Sequence, residues 1–279
     1  MRILVLASLL LGLGCNAFTT PPQVMGGRRF NLQASGDPNA NEDIIERLWR
    51  KVFGAPEANP FGLERMTPNK FPDQYPAVKD RLAEPVKGDS RDIATIRPLL
   101  AQTDLETRPL KQVYDASRQG WKAAAFHKAV DKKGPGVIVA KTKSGALVGG
   151  YNPKGWVGYG EYRPGISAFL FTWRDGDTSK PAIKLRKIGG AGLAQWDRPE
   201  TGPFFGSDGL TIPLQAGSER RGTSKLGSYY ERLPNGDNTL FSKADGGAAE
   251  LTSFKAYVGV YQRGEEIPFD DAIPFSISE

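Results

Sequence analysis

The chain has only one cysteine and one histidine among its 279 residues. Cys15 lies in an N-terminal leader, so the remainder of the sequence contains no cysteine. This scarcity excludes disulfides, thiol nucleophiles and zinc sites of the usual ligand set from that remainder. A Ser-His-Asp triad would have to use His127, and the sequence contains no Gly-x-Ser-x-Gly motif to supply its nucleophile.

Motifs for nucleotide binding and sugar hydrolysis are missing as well. The sequence has no Walker A lysine motif, and Gly-Gly-Ala-Gly-Leu-Ala-Gln places Gln195 where a dinucleotide loop needs its third glycine. Glu161 and Asp208 are carboxylates, but their spacing does not pair them as glycosidase residues. We therefore predict no catalytic residue, no metal site and no cofactor.

The apolar run at the N-terminus is short. Residues 3–14 read Ile-Leu-Val-Leu-Ala-Ser-Leu-Leu-Leu-Gly-Leu-Gly, after Met1-Arg2 and before Cys-Asn-Ala. A basic start, an apolar stretch of this length and small residues at its end indicate a secretory signal peptide over residues 1–17. A membrane-spanning helix needs about 20 apolar residues, so we predict no transmembrane span.

Residues 18–36 contain arginine and hydroxyl side chains but no acid, which is typical of a transit peptide. The junction Cys-Asn-Ala-Phe-Thr-Thr-Pro-Pro, with Phe18 as its central residue, resembles the bipartite plastid leaders of algae with secondary, red-lineage plastids. This resemblance implies delivery to the plastid through the secretory pathway, and plain secretion is the alternative.

The charge of the chain is modest once this leader is set aside. The net charge falls from +6 to +3, because residues 1–36 contribute three arginines and no acid. Trp156, Tyr159 and Tyr162 stand between glycines and could stack on bases. Since no dense stripe of Lys and Arg accompanies them, we interpret them as a turn-rich loop and predict no nucleic-acid binding.

Residues 37–99 are predicted to form a short helix and a proline-rich arm. The apolar residues of 41–54 recur on one face of a helix that Gly54 ends. This helix could lie on a membrane, but its acids favour docking on the domain. Seven prolines in residues 54–99 indicate an extended arm or a linker. The large apolar residues of this segment favour an arm that wraps the domain; they are Phe61, Phe71, Tyr75 and Leu82.

Two helices and then a series of strands are predicted from residue 108. The spacing of Leu110, Val113 and Tyr114 predicts one helix up to Gly120, and residues 121–134 predict a second. The segments 136–141 and 146–151 predict a β-hairpin around Lys-Ser-Gly. Further strands are predicted in the segments 166–173, 182–188, 209–214 and 251–261. This order indicates an α+β fold with antiparallel sheets.

Two local features allow more than one interpretation. Gly149 and Gly150 end a predicted strand, which requires either positive φ or a close approach of other groups. The acidic tail, residues 264–279, is interpreted as an extended segment packed on its own domain, with a docking tail as the alternative. His127 follows the core residue Phe126 on a helix and is interpreted as a structural histidine rather than a catalytic one.

The central segment carries a family pattern. Phe-His, an Asp near the helix end, Lys-Gly-Pro, a strand, Gly-x-x-x-Gly-Gly-Tyr, Trp and Phe-Leu-Phe follow one another along residues 126–171. This order resembles the TLDc domain of the oxidation resistance proteins, over about residues 100–263. The matching residues are Phe126, His127, Asp131, Lys133, Gly134, Pro135, Gly145, Gly149, Gly150, Tyr151, Trp156, Phe169, Leu170 and Phe171.

The resemblance implies a two-sheet antiparallel β-sandwich flanked by helices. It also implies a link to protection against oxidative damage and, in several relatives, binding to the vacuolar proton pump. The family has no accepted catalytic residues, so the resemblance assigns none to this chain. Two acids of the family pattern are replaced here, one by Ser167 and one by Lys255 or Ala256. Proton-pump binding is therefore doubtful for this chain.

These observations predict a non-enzymatic plastid binding module linked to oxidative-stress protection, with a protein partner that the sequence does not identify. One alternative is a structural or accessory subunit of a thylakoid complex. The other alternative is an enzyme with an unrecognised site around His127, Asp131 and Tyr151.

The targeting prediction can be tested with one substitution. In a fluorescent fusion of the chain, Phe18→Ala should leave entry into the secretory pathway intact and stop delivery to the plastid. Microscopy of wild-type and variant fusions in an alga with secondary plastids measures both steps. A variant that still reaches the plastid, or a wild type that is secreted, contradicts the bipartite leader.

Overall fold

The computed structural model describes residues 67–190 and 192–268. The predicted signal peptide, the transit-like segment and the helix at 41–54 lie outside the described residues, as do residues 269–279 of the acidic tail.

The strands of the described residues are β1 Leu110–Asp115, β2 Gly136–Thr142, β3 Leu147–Asn152, β4 Glu161–Arg163, β5 Phe169–Trp173, β6 Ile183–Arg186, β7 Gln195–Asp197, β8 Phe204–Phe205, β9 Leu210–Thr211, β10 Arg221–Thr223 and β11 Ala248–Gly259. They are all antiparallel and join edge to edge in the order β4-β7-β8-β9-β10-β11-β2-β3-β5-β6, with β1 added beside β11.

Strand β11 belongs to two layers of this arrangement. Its first residues pair with β10, and from Leu251 onward it pairs with β2. A register shift between Leu251 and Ser253 marks the change, since a bulge bends a strand and increases its twist. The larger sheet contains β1, β11, β2, β3, β5 and β6, and the smaller sheet contains β4 and β7–β10. The predicted α+β sandwich is confirmed.

The larger sheet is covered on both faces, and alternate residues of its strands enter two different apolar clusters. Ile138, Val148 and Leu170 face the inner cluster, together with Phe205 and Leu210 of the smaller sheet. Their strand neighbours face an outer cluster, whose members include Val137, Tyr151, Phe169, Phe171, Trp173 and Tyr257. Every residue of β5 is buried in consequence, as expected for a strand with both faces covered.

Short helices complete the two faces. Helix α1, Arg91–Ile96, begins at Ser90, whose hydroxyl accepts a hydrogen bond from the Ile93 amide, and it continues as a 3-10 helix over Arg97–Leu100. Its apolar residues cover the outer face of the larger sheet. Helix α2, Ala116–Gln119, and helix α3, Ala123–Val130, lie on the inner side. Within the described residues, no helix is long and apolar enough to cross a membrane.

The prediction of a helix from residue 108 was wrong, and the reason lies in a β-bulge. Leu110–Asp115 is strand β1, paired with β11, and its register shifts between Gln112 and Tyr114. The bulge inserts Val113 as an extra residue and moves the alternation of side chains by one position. Apolar side chains consequently recur at a spacing that imitates a helix. The predicted helix at 121–134 and the β-hairpin that follows it are confirmed.

The proline-rich arm is extended through most of its described part, with a 3-10 helix at Pro72–Gln74. Ala77 and Ala83 are buried, and Lys79 forms an ion pair with Glu231 of the main domain, with 2.8 Å between Nζ and Oε2. Leu82, which was predicted to help hold the arm, is 64% exposed. From Arg91 onward the chain is helical rather than arm-like.

Gly149 and Gly150 open the two faces of the larger sheet for aromatic side chains. A Cβ at Gly149 would lie 2.1 Å from the Ile138 carbonyl oxygen and 2.4 Å from Cζ of Phe171. A Cβ at Gly150 would lie 2.7 Å from Cζ of Phe205 on the inner face. Neither glycine has positive φ. Of the two reasons considered from the sequence, the close approach is therefore the correct one.

This crowding predicts that Gly149→Ala destabilises the protein by about 1–3 kcal/mol, because the β2 backbone and the Phe171 ring cannot both move away. The measurement is the free energy of unfolding from urea denaturation. Gly192→Ala is the matched control, since a Cβ there meets nothing within 4 Å and its φ is not positive. Equal stability of the two variants would contradict the packing argument.

Candidate functional site around His127

His127 joins two parts of the chain that are distant in sequence. Its Nδ1 lies 2.8 Å from Oδ1 of Asp131, one helical turn further along at the end of α3. Its Nε2 lies 2.8 Å from the carbonyl oxygen of Thr201, in the loop between β7 and β8. Carboxylate and carbonyl oxygens are both acceptors, so the ring satisfies both only as the doubly protonated imidazolium.

The surroundings of His127 favour this charged form. Burial by itself would lower the pKa of the imidazole, but the hydrogen bond and charge of Asp131 outweigh it, aided by the Thr201 carbonyl and the charge of Asp197. The pKa of His127 is therefore raised above its usual range. The ring is only 6% exposed, so water cannot easily replace either partner.

Asp197 fixes the loop that follows β3, residues 153–160. Its Oδ2 accepts hydrogen bonds from the amides of Val157 and Gly158, at 2.7 Å and 3.0 Å. The Arg163 guanidinium lies 3.8 Å from the same oxygen. Burial raises the pKa of Asp197, and the two amides, Arg163 and His127 counteract that rise. The carboxylate thus holds together β4, β7 and the loop.

The same loop is held from its beginning by Asn152, at the end of β3. Its amide group donates to the Gly155 carbonyl at 2.7 Å, and its side-chain oxygen accepts from the Lys154 amide at 2.9 Å and from the Gln195 side chain. A Cβ at Gly155 would lie 2.2 Å from the Gly134 carbonyl oxygen, and the φ of Gly155 is +62°. Glycine is thus required at this position on two grounds.

The ring of His127 joins the end of α3 to the loop after β7, and neither of its nitrogens is free to accept a proton. A general base needs a free nitrogen within reach of a substrate, and both ring nitrogens of His127 are already bound. Tyr151, the third residue of the hypothetical catalytic set, packs against Phe169 in the outer cluster, with 5.3 Å between ring centroids. Among the described residues, no group of three or more His, Cys, Asp or Glu side chains could hold a metal ion.

The remaining residues of the family pattern occupy packing positions. Phe126 contacts Trp156 edge to face at 5.4 Å and stacks on Phe254 at 5.7 Å. Gly134, with φ of +75°, and Pro135 are buried in the turn before β2. Phe169 and Phe171 are buried in the outer cluster. Ser167 is fully buried before β5, and its Oγ has no hydrogen-bond partner among the described residues.

Sequence reasoning missed Asp197, Arg163 and Thr201. Arg163 and Asp197 lie on strands of three residues, β4 and β7, which are too short to show periodicity. Thr201 contributes a backbone carbonyl, which no side-chain pattern can reveal. Strand β7 follows Gly-Gly-Ala-Gly-Leu-Ala directly, so no dinucleotide-binding helix begins there.

The raised pKa predicts how the stabilising effect of His127 changes with pH. A group whose pKa is higher in the folded protein stabilises it fully below the unfolded-state value of about 6.5, and this effect is lost as the pH rises through the folded-state value. We expect His127→Gln to cost about 1–3 kcal/mol at pH 6 and less at pH 8.5.

The measured quantity is the difference in unfolding free energy between wild type and variant at each pH. This difference is needed because burial lowers the pKa of Lys184 to about 7, so Lys184 adds stability as the pH rises over the same interval. Lys184 is present in both proteins, so its contribution cancels in the difference. A difference that stays constant or grows toward pH 8.5 would contradict the imidazolium assignment.

The residues that form this site lie within a segment that matches a known family. The family model of the TLDc domain matches residues 89–229, just over half of the chain. The match starts at Asp89, ahead of the first residue predicted for the domain, and so includes α1. No curated protein matches the sequence. The extent of the family match shows that this chain belongs to the TLDc domain family.

Proposed function

We propose that this protein is a non-enzymatic TLDc module of the plastid, which protects against oxidative damage by binding a protein partner. The observation that supports this proposal most directly is the state of His127. The only histidine of the chain has both ring nitrogens bound to acceptors of its own domain. The residue that sequence analysis offered for catalysis thus stabilises the fold.

The link to oxidative stress rests on the family, many of whose members are associated with it. The plastid location rests on Phe18 and the composition of the leader, residues 1–36, as argued from the sequence. The binding role follows from the packing functions of the family-pattern residues around His127. A pattern whose residues pack the domain describes a scaffold, and we infer that such a scaffold acts through its surface.

Proton-pump binding is not part of this proposal. The two positions where the family pattern has acids are occupied here by Ser167 and by Lys255 or Ala256, and none of these side chains carries a negative charge. Ser167 is fully buried. Lys255 projects toward α1, where its Nζ lies 2.7 Å from Oδ2 of Asp92. A function that needs acids at these two positions is not available to this chain.

The experiment compares protection with the amount of folded protein. Cells that express wild type, His127→Gln or Gly149→Ala are treated with peroxide, and survival is plotted against folded protein measured by circular dichroism and immunoblotting. If His127 is structural, both variants should lie on one line with wild type, because each loses protection only in proportion to its loss of fold.

Gly149→Ala is the matched control, since it damages the fold without touching the imidazole. A general base would show a different result, because its removal lowers activity by roughly 100-fold or more while the fold survives. A well-folded His127→Gln protein that protects no better than an empty vector would overturn the non-enzymatic proposal.

A further inference from the structure

A cleft of about 720 Å³ lies away from His127, between the start of α3, the loop before β10 and the start of β11. This volume is within the range of about 300–1,000 Å³ that is usual for ligand sites. Trp121, Ala248 and Ala249 form an apolar part of the lining. Trp121 is half-buried, so part of the indole is exposed in the cleft.

Three solvent-exposed cationic side chains surround this apolar part. Lys122, Arg220 and Arg221 are exposed, and none of them forms an ion pair with a carboxylate within the described chain. The guanidinium of Arg220 lies 5.2 Å from the centre of the Trp121 ring. Such a contact orients the guanidinium and leaves its N–H groups free for an acceptor.

Two acids also line the cleft, Glu219 and Glu250. The Glu250 carboxylate is paired with Lys143, with 3.0 Å between Oε2 and Nζ, so it offsets little of the positive charge. Glu219 stays beside Arg220 as a fixed negative charge. A continuous phosphate backbone or an anionic membrane cannot avoid this acid, whereas a peptide can place separate carboxylates on the cations and an uncharged residue beside Glu219.

We propose that this cleft binds an acidic peptide segment of a partner protein, in which carboxylates flank an aromatic or aliphatic side chain. Arg220 receives one carboxylate through two parallel N–H donors, and Lys122 and Arg221 attract its neighbours. The apolar side chain packs against Trp121 and the two alanines. Charge complementarity supports this occupant, because three cations without acidic partners face Glu219, the one acid of the cleft that is not paired within the described residues.

The inference deepens the binding role proposed above and names the surface and the chemistry of the partner. The positive end of the α3 dipole adds to the potential, since Lys122 is the residue that precedes its first turn. Trp and Arg are also the residues that most often dominate the energy of protein interfaces. The cleft brings one of each into direct contact.

The test uses the full chain and two synthetic fluorescent peptides, Gly-Asp-Glu-Phe-Asp-Glu-Gly and its neutral counterpart Gly-Asn-Gln-Phe-Asn-Gln-Gly. Fluorescence anisotropy measures the Kd of each at low and physiological salt. We expect the acidic peptide to bind wild type at least tenfold more tightly than the neutral one. Arg220→Glu should weaken this binding by at least tenfold, while Lys87→Glu, an equal charge change at an exposed residue outside the cleft, should alter it less than twofold.

Circular dichroism tests whether each variant is folded. If Arg220→Glu does not fold, Arg221→Glu takes its place. Equal binding of the two peptides, or equal losses in Arg220→Glu and Lys87→Glu, would overturn the proposal. So would a short single-stranded DNA or inorganic phosphate that displaces the acidic peptide at comparable concentration. Loss of peptide binding with unchanged survival under peroxide would leave the cleft assignment intact and refute its role in protection.

Discussion

The structure depends on one constraint, which is that the central strands of the larger sheet are apolar on both faces. Every residue of β5 is buried, so exposing either face to water would cost the free energy of several large side chains. The chain must therefore supply two covers. Helix α1 provides the outer cover, and the smaller sheet with α3 provides the inner one. Gly149 and Gly150 allow both covers to approach closely, because each opens one face for an aromatic ring.

The polar residues near α3 further restrict how the layers are positioned against each other. Apolar packing alone tolerates small shifts between layers, whereas directional hydrogen bonds between named groups permit fewer arrangements. His127 ties α3 to the loop after β7, and Asp197 ties that loop region to residues 153–160. Removing either group would leave a buried donor or acceptor without a partner, which costs more than the hydrogen bond contributes. The family pattern around His127 therefore describes how the layers are held in register.

The sequence predicted most of the larger sheet because its strands, β1 apart, contain apolar runs that are bounded by turn residues. It predicted α3 from the spacing of its apolar side chains. It failed at β1, where a bulge imitated helical spacing, and at β4, β7, β8 and β10, which are too short for a periodic signal. His127 and Asp131 were named together, in the family pattern and in the hypothetical catalytic set. Asp197 and the Thr201 carbonyl were not found, because they reach the site through tertiary folding alone.

Strand β11 has a consequence for the order of events during synthesis. It supplies the partner for β1, β2 and β10, and so joins residue 110 to residue 259, near the end of the described chain. A ribosome delivers the chain from its N-terminus, so the two layers remain without their shared strand until residues 248–259 have emerged. Pairings of such long sequence separation also form slowly. The nascent chain should therefore stay protease-sensitive and open to chaperones until this strand is available, and a premature stop before residue 248 should yield no stable fragment.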